Sequence, residues 1–250
     1  MSICKSEAIV LRRNNLRETS VLADFFTRDF GKITGVLKGM RTEPTKFASS
    51  VEPFSLNEII FYQKRNSSVH LVSACDLKNN FNQLRQDVVR SAMATMMLEL
   101  VGAVMPLEDK NPAVFELVVS SISELEKTNF AEKILLIFKI KLLSLSGFQP
   151  HLDSCVVCDS RVMGQAKFSV SQGGLLCPKC AFKDPKARSI FRGTVATLLH
   201  IQKNDFSANL NLGMNPEIKK ELEIILNSFI QFHLGKELKS QRVLDDLTAR

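Results

Sequence analysis

The chain has 250 residues, of which 45% are hydrophobic and 24% are charged, and its formal net charge is +7. This composition is that of a globular protein with a full core, and it excludes wholesale disorder and a fibrous repeat. Apolar runs such as 134–138 and 142–145 are far shorter than the roughly 20 residues of a membrane span, so we expect no transmembrane helix.

The N-terminal residues contain no apolar run of signal-peptide length before Arg12 and Arg13, so we expect the protein to stay in the cytoplasm. In a reducing compartment its six cysteines are metal ligands or core residues rather than disulfides. The positive charge favours an anionic partner such as nucleic acid, although a surplus of this size also occurs in proteins without one.

Residues 1–80 are predicted to form a small β-barrel. Runs rich in Val, Ile, Phe and Thr alternate there with turn signals, a pattern typical of strands. The five runs are 3–11, 20–27, 32–37, 51–62 and 69–75. Five strands in so short a segment favour an oligonucleotide-binding (OB) fold, with an SH3-like barrel as the structural alternative.

The periodicity changes after residue 80. Apolar residues recur at helical spacing in three consecutive amphipathic stretches, and two further helices follow the cysteine-rich segment. The predicted helices cover 88–104, 115–125, 134–145, 187–203 and 216–233. Pro112 suits a helix start and Gly147 a helix end. We therefore predict an α+β protein, with a helical domain at 81–250 into which a cysteine module at 148–184 is inserted.

Two CxxC pairs, Cys155 with Cys158 and Cys177 with Cys180, are separated by 18 residues, which matches a zinc template. Four thiolates complete a tetrahedral shell and leave no position for water or substrate, so the site predicts one structural zinc ion. The segment 167–176 predicts a short hairpin between the pairs, as in a zinc ribbon. An iron–sulfur cluster uses the same ligands and is the alternative.

The other cysteines and the nearby histidine are given structural interpretations. Cys4 and Cys75 lie in predicted strands and are interpreted as buried apolar side chains. His151 is interpreted as a bystander, because a fourth cysteine already completes the shell. The sequence contains no phosphate-binding glycine motif, no HExxH pair, no nucleophile elbow and no zinc-deaminase signature, so no enzyme activity is predicted.

Basic residues of the barrel segment cluster in turns, loops and strand ends, where an OB fold holds a nucleic-acid backbone. Any one of them is more often a solvated surface charge, and only the group indicates phosphate binding. Phe47 and Tyr62 are candidates for base stacking, whereas Phe54 and Phe61 are expected to face the core. The predicted nucleic-acid-binding residues are Arg12, Arg13, Arg17, Lys32, Lys38, Arg41, Lys46, Tyr62, Lys64 and Arg65.

The order and spacing of short motifs along nearly the whole chain resemble the RecO family of bacterial DNA repair proteins. The motifs are Glu7–Arg12, Glu18–Ser20, Phe26–Thr27, Gly31–Lys32, Lys38–Arg41, Pro53–Phe54, Gly147–Pro150, His233–Lys236, Leu238–Ser240 and Val243–Leu244. The motif at 38–41 is similar to the basic DNA-binding loop of the family, which implies DNA contacts for Lys38 and Arg41.

The resemblance implies an OB fold, a helical domain with an inserted zinc module in many members, and no ATPase activity. Proteins of this family bind single- and double-stranded DNA, anneal complementary strands, and act with RecR to help RecA replace the single-strand-binding protein SSB, whose C-terminal tail the helical domain contacts. We therefore expect a nucleoid-associated mediator of DNA recombination and of the repair of DNA damage. The rival hypothesis is a zinc-ribbon adaptor that binds proteins and not DNA, and a nuclease is a weaker one.

Overall fold

The computed structural model describes residues 2–43, 45, 47–49, 51–64, 67–128, 130–162 and 164–248. The chain forms two compact units, the first being Met1–Ala131 with Leu238–Arg250 and the second Glu132–Glu237. The last barrel strand ends at Asn79, next to the predicted domain boundary. The units nevertheless divide the chain elsewhere, because the first helices and the C-terminal helix belong to the unit of the barrel. The division into domains 1–80 and 81–250 stays a prediction.

Five strands of the first unit close into a barrel in the order β1-β2-β3-β5-β4. The strands are β1 (Ser2–Leu16), β2 (Ser20–Thr27), β3 (Gly31–Leu37), β4 (Leu56–Gln63) and β5 (Val69–Asn79). β1 is antiparallel to both β2 and β4, and β3 runs parallel to β5. This closure confirms the predicted five-stranded, OB-like barrel.

Alternate residues of each strand fill the interior of the barrel. Phe25, Phe61 and Val72 are at most 1% exposed, as the period of two in a strand requires. Cys4 and Cys75 are buried with them, which confirms their interpretation as core residues. Burial of each large apolar side chain contributes about 1.5–3 kcal/mol, so this interior is the main stabilising element of the barrel.

The fourth strand begins later than the apolar pattern predicts. The prediction of strand from residue 51 is wrong for 51–55, because Val51 and Phe54 each have a φ of 54° in the left-handed region. A β-branched or bulky residue rarely adopts that conformation, so residue type gave no signal of the turn. Phe54 is still buried, as predicted, and the Arg85 guanidinium carbon lies 4.1 Å from its ring centroid.

Three helices follow the barrel: α1 (Asn82–Gln86), α2 (Val88–Val104) and α3 (Pro112–Lys127). The side chain of Asp87 caps α2 by accepting a hydrogen bond from the Arg90 backbone N–H. Asn111 caps α3 in the same way through Val114, and Pro112 occupies the first turn, where a missing N–H costs nothing. Both long helices therefore lie where the periodicity predicts them.

The second unit begins within the helix α4 (Ala131–Leu145), which is buried on nearly every side between Ile134 and Leu143. Because it lacks a polar face over that span, it is a core helix rather than the amphipathic helix that was predicted. The unit also contains α5 (Arg192–Lys203), α6 (Phe206–Asn209), α7 (Pro216–Leu234) and the strands β6 (Ala166–Ser169), β7 (Gly174–Leu176) and β8 (Arg188–Ile190). The three strands form a sheet in the order β7-β6-β8.

The C-terminal helix, α8 (Lys239–Thr248), is not predicted by the sequence pattern. The carboxylate of Glu99 in α2 accepts hydrogen bonds from the backbone N–H groups of Lys239 and Ser240, at 3.1 and 2.9 Å. A carboxylate stabilises the first turn of a helix because it satisfies free N–H groups and complements the helix dipole. Among the described residues, no helix has both the length and the apolar character needed to cross a membrane.

Two glycines of the first unit give opposite predictions for substitution by alanine. Gly31 has a φ of +65°, and an added Cβ would lie 2.1 Å from the carbonyl oxygen of Asp109, so Gly31→Ala should lower the free energy of unfolding by more than about 1 kcal/mol. Gly102 lies inside α2 with no atom nearer than 3.9 Å to an added Cβ, so Gly102→Ala should raise it by up to about 1 kcal/mol. Urea unfolding measures both effects, and an undiminished stability of Gly31→Ala would contradict this packing.

Candidate functional site

Four cysteine sulfurs of the second unit converge on one point. The Sγ atoms of Cys155, Cys158, Cys177 and Cys180 all lie within 4.8 Å of one another, and those of Cys158 and Cys177 are 3.7 Å apart. A tetrahedron with metal–sulfur bonds of about 2.3 Å has edges of about 3.8 Å, so the four sulfurs fit a single tetrahedral metal ion. Within the described residues, this is the only group of three or more such ligands.

Each pair of cysteines is presented by a tight turn. The Cys155 carbonyl accepts a hydrogen bond from the Asp159 N–H at 2.8 Å, and the Cys177 carbonyl accepts one from the Cys180 N–H at 3.0 Å. The predicted hairpin between the two turns is present as β6 and β7, which pair in antiparallel register. The local sequence therefore determines the geometry of the site.

A buried carboxylate joins the loop after the second pair to the hairpin. Asp184 accepts hydrogen bonds from Ser169 Oγ at 2.5 Å, from Ser171 Oγ at 3.0 Å and from the Lys186 N–H at 2.9 Å. The hydrogen bond from Ser169, followed by those from Lys186 and Ser171, holds the pKa of Asp184 below its usual value in spite of burial. Asp184 is therefore ionised, and its carboxylate stabilises this loop through hydrogen bonds to the hairpin.

The thiols of the cluster differ in acidity. Burial acts to raise the pKa of Cys155, but hydrogen bonds from the backbone of Cys177, Val157 and Cys158 together lower it to about 6. The hydrogen bond with the Cys158 sulfur, together with burial, raises the pKa of Cys180 to about 12. Four thiolates at this separation would repel one another without a cation, and at neutral pH a metal ion that binds here has to displace the proton of Cys180 into solvent.

His151 lies beside the cluster and stabilises the hairpin. Its Nε2 lies 2.7 Å from Ser154 Oγ, and its backbone forms a bridge with Gly174. An added Cβ at Gly174 would lie 2.2 Å from the His151 carbonyl oxygen, so only glycine fits at that position. His151 is outside the group of converging ligands, in agreement with its interpretation as a bystander.

Three of the predicted nucleic-acid-binding cations have partners within the first unit. Arg12 forms an ion pair with Asp24. Arg13 Nη1 lies 2.5 Å from Glu52 Oε1. Lys32 donates a hydrogen bond from Nζ to a carbonyl oxygen of α2 at 2.6 Å. The charge or the donor of each is already engaged, so these residues are weaker candidates for a phosphate contact.

Arg17, Lys38 and Arg41 come together where the β1–β2 turn meets the loop after β3, and we name these three residues the barrel patch. The Arg41 N–H donates to the Thr19 carbonyl at 2.9 Å, and Arg41 Nη1 donates to the Arg17 carbonyl at 2.7 Å. All three side chains are exposed, and in the part of the chain that the structure describes none of them has an ion-pair partner. The charges of Arg17 and Lys38 are therefore available to an anion in solution, and Arg41 adds its charge with one of its donors, Nη1, already engaged.

Two of the remaining predicted residues, Tyr62 and Lys64, lie at the end of β4. Tyr62 and Lys64 are half-buried, and the Lys64 N–H donates to Nδ1 of the buried His70 at 3.3 Å. Lys46 and Arg65 lie outside the described residues.

The structure also corrects one prediction and adds a cluster that sequence reasoning missed. Phe47 is only 4% exposed and belongs to the barrel core, so its prediction as a base-stacking residue is wrong. The loop after β3 brings Phe47 inward because burial in the barrel core removes its ring from water.

In the second unit, the segment 179–192 contains five exposed cations. The high density of Lys and Arg along this segment could have indicated the cluster from the sequence.

Two family models match the chain, one described as Recombination protein O N terminal over residues 1–81 and one described as Recombination protein O C terminal over residues 85–242. The chain belongs to the RecO family. Curated proteins named DNA repair protein RecO are similar over nearly their full length. The relative from Syntrophus aciditrophicus is 30% identical over 97% of this chain and 95% of its own, and that from Dehalococcoides mccartyi is 32% identical over 98% and 96%.

The family assignment confirms the resemblance that the sequence motifs indicate. A third relative, from Alkaliphilus metalliredigens, is 32% identical over 94% of this chain and 95% of its own. The chain is thus a DNA repair protein of the RecO family, in which an OB-like barrel precedes helices and a four-cysteine cluster able to hold a metal ion.

We predict that Cys177→Ser removes a stoichiometric metal ion and lowers the thermal stability of the protein, because a closed tetrahedral site contributes its binding free energy to folding. The matched control is Cys75→Ala, which removes a buried thiol of the first unit that does not belong to the group of converging ligands. Elemental analysis of reduced, purified protein measures the ion. Equal metal content in wild type and Cys177→Ser would contradict the site.

The affinity for the metal should rise with pH between about 6 and 8. Binding needs the thiolate form, and the high pKa of Cys180 means that its proton has to be displaced throughout this range. Competition with a chelator at several pH values measures the affinity, after correction for protonation of the chelator itself. An affinity independent of pH would mean that the cluster binds no metal through Cys180.

Proposed function

We propose that this protein binds single- and double-stranded DNA and anneals complementary strands, as a recombination mediator that catalyses no covalent step. It acts in the cytoplasm, at the nucleoid, where it helps RecA, together with RecR, to replace SSB on single-stranded DNA. The observation that carries the proposal is the barrel patch, a group of exposed cations on an OB-like barrel of a RecO-family protein.

The location of the barrel patch suits a phosphate backbone. OB folds bind oligonucleotides at the face of the second and third strands and at the loops that follow the first and fourth strands. Arg17 lies in the loop after β1, and Lys64 follows β4 directly. Lys38 and Arg41 lie in the loop after β3, which hydrogen bonds to the β1–β2 turn. Arg17 and Lys64 therefore lie in loops that this fold uses for nucleic acid, and Lys38 and Arg41 lie in a loop that is hydrogen-bonded to the first of them.

Annealing has a physical basis in the same residues. Two complementary strands repel each other through their phosphates, and cations that neutralise phosphates lower this repulsion and release counterions. Glu18 and Glu43 are exposed neighbours of the barrel patch in sequence and reduce its net charge. We therefore expect binding that is moderate in affinity and that weakens steeply as salt is added.

The protein partners are proposed from membership of the family alone. They are RecR, the C-terminal tail of SSB and, through the exchange on DNA, RecA. An acidic tail with an apolar end would require an apolar groove bordered by Lys or Arg, and we assign this contact to the helical region without naming its residues.

We propose that the ion of the four-cysteine cluster is a single structural zinc. Four thiolates in tetrahedral arrangement fill the coordination shell of zinc, so no position is open for water activation. An iron–sulfur cluster would use the same ligands. Visible absorption of the purified protein separates the two, because zinc thiolates are colourless in the visible range and iron–sulfur clusters are strongly coloured.

The barrel patch generates a prediction about salt dependence. Lys38→Gln and Arg17→Gln should each weaken binding to single- and double-stranded DNA alike, and each should reduce the slope of log affinity against log salt by about one. The matched control is Lys220→Gln, which removes one exposed cation from α7 in the second unit. Fluorescence anisotropy with labelled oligonucleotides at several salt concentrations measures the slopes.

Two results would contradict the proposal in different ways. No binding of wild-type protein to either DNA at low salt would remove the DNA hypothesis and favour the protein-binding adaptor. Binding with slopes unchanged in Lys38→Gln and Arg17→Gln would mean that DNA binds elsewhere than at the barrel patch.

A further inference from the structure

A second cationic surface lies beside the metal cluster, and we name it the module patch. It consists of Lys179, Lys183, Lys186, Arg188 and Arg192, all of which are exposed. In the part of the chain that the structure describes, none of these five side chains takes part in an ion pair. Asp184, the sole acid between residues 179 and 192, is buried and accepts the three hydrogen bonds described above.

The charge of the metal site does not cancel this surface. Four thiolates and one divalent cation would carry a net charge of −2, and the Asp184 carboxylate adds one further negative charge, which together are smaller than the five positive charges of the module patch. Long, unpaired Lys and Arg side chains at this density attract a polyanion, because they repel one another until phosphates neutralise them.

Two phenylalanines project from the same stretch of chain into solvent. Phe182 is 72% exposed and Phe191 is 62% exposed. Lys183 Nζ lies 5.4 Å from the centroid of the Phe182 ring, so a cation sits over an aromatic face. Two exposed phenylalanine rings among cations offer flat faces on which unpaired bases can stack.

A cavity of about 530 Å³ lies between Phe191 and the small sheet. Its walls include Pro178, Ala181 and Ile190, with Phe191 at its edge. The volume is within the range of roughly 300–1,000 Å³ that is usual for pockets that hold small organic groups. The acid in the wall, Glu221, accepts hydrogen bonds from the Phe191 N–H, at 3.1 Å to Oε2.

We propose that the module patch, with Phe182 and Phe191, is a second binding site for single-stranded nucleic acid. Unpaired bases stack on the two phenylalanine rings and enter the cavity, while the five cations contact the phosphates. Flat aromatic rings interleaved with cations are the combination that binds single strands, because every base has a face that stacks and every nucleotide has a charge. The inference rests on the proposed DNA binding and assigns to it a second site.

A second site has a consequence for annealing. Each of the two compact units carries a cationic surface of its own, the barrel patch in the first and the module patch in the second. One chain can then hold two strands at once. Strands held on one molecule meet at a high effective concentration, which accelerates pairing without a new contact between them.

An acidic peptide is the alternative occupant, and the exposed aromatics argue for nucleic acid. A peptide that carries only carboxylates would satisfy the cations but would leave the two rings in water, whereas unpaired bases cover the rings and supply the charge. An acidic peptide with an apolar end would cover both, and the experiment below separates it, because Phe182→Ala and Phe191→Ala would then leave single-strand binding unchanged. If unpaired bases stack on the two rings, the rings will contribute to the binding of a single strand but not of a duplex. The bases of a duplex are already stacked on one another and cannot stack on the protein.

The test compares Phe182→Ala and Phe191→Ala with wild type on a single-stranded oligonucleotide and on a duplex of the same sequence. Each variant should bind the single strand about tenfold more weakly and the duplex unchanged. Phe182→Tyr and Phe191→Tyr should restore the affinity, because tyrosine also stacks. Phe130→Ala is the matched control, since Phe130 is 71% exposed but belongs to the first unit.

The outcomes separate this inference from the proposed function. Single-strand affinity that is the same in Phe182→Ala, Phe191→Ala and Phe130→Ala, with a loss in Lys38→Gln, would overturn the second site and leave DNA binding by the barrel in place. An equal loss on single strand and duplex would also overturn it, since stacking on unpaired bases would then not be the cause. Absence of all DNA binding in wild type would contradict the proposed function itself.

Discussion

The first unit depends on the way in which β1 is shared between two partners. Residues 2–9 of this strand pair with β4, and residues 8–16 pair with β2, with an irregularity in register between Val10 and Arg12. A strand that bends in this way lets five strands close without a free edge, and closure protects the backbone groups from pairing with other chains. Closure also places the end of β1 beside the loop after β3, where the Arg41 N–H reaches the Thr19 carbonyl. The exposed cations of the barrel patch are thus a consequence of how the barrel closes.

In the second unit, the four-cysteine cluster joins the two turns on either side of the β6–β7 hairpin, as the pairing of β1 joins the strands of the barrel. A three-stranded sheet of short strands buries little apolar area, and below a certain core size a bound metal is a common means of holding such a module together. The loop that carries Cys177 and Cys180 continues into the segment that carries Phe182 and the cations of the module patch. An ion bound by the four cysteines would therefore order the backbone from which the exposed cations of the module patch project.

The sequence predicted those features that depend on residues close together in the chain, and it did not predict those that depend on residues far apart in the chain. The metal ligands were predictable because each CxxC pair forms its own turn, and β2 and β3 were predictable because their alternation is regular. The helix α8 was not, because its cap is Glu99, a residue 140 positions earlier. The burial of Phe47 likewise depends on the packing of the barrel core, and the engagement of Arg12 by Asp24 depends on the register of β1 with β2. Composition identifies a basic chain, but only the fold separates engaged cations from available ones.

The most direct test of this account is the rate at which two complementary labelled oligonucleotides anneal in the presence of the purified protein, without a nucleotide cofactor. Neutralisation of phosphates on a protein with two cationic surfaces predicts annealing far faster than the spontaneous rate, with an acceleration that disappears as salt is raised. Annealing at the spontaneous rate at low salt, or cleavage of the strands when a divalent metal is added, would contradict a DNA-annealing function for this RecO-family protein.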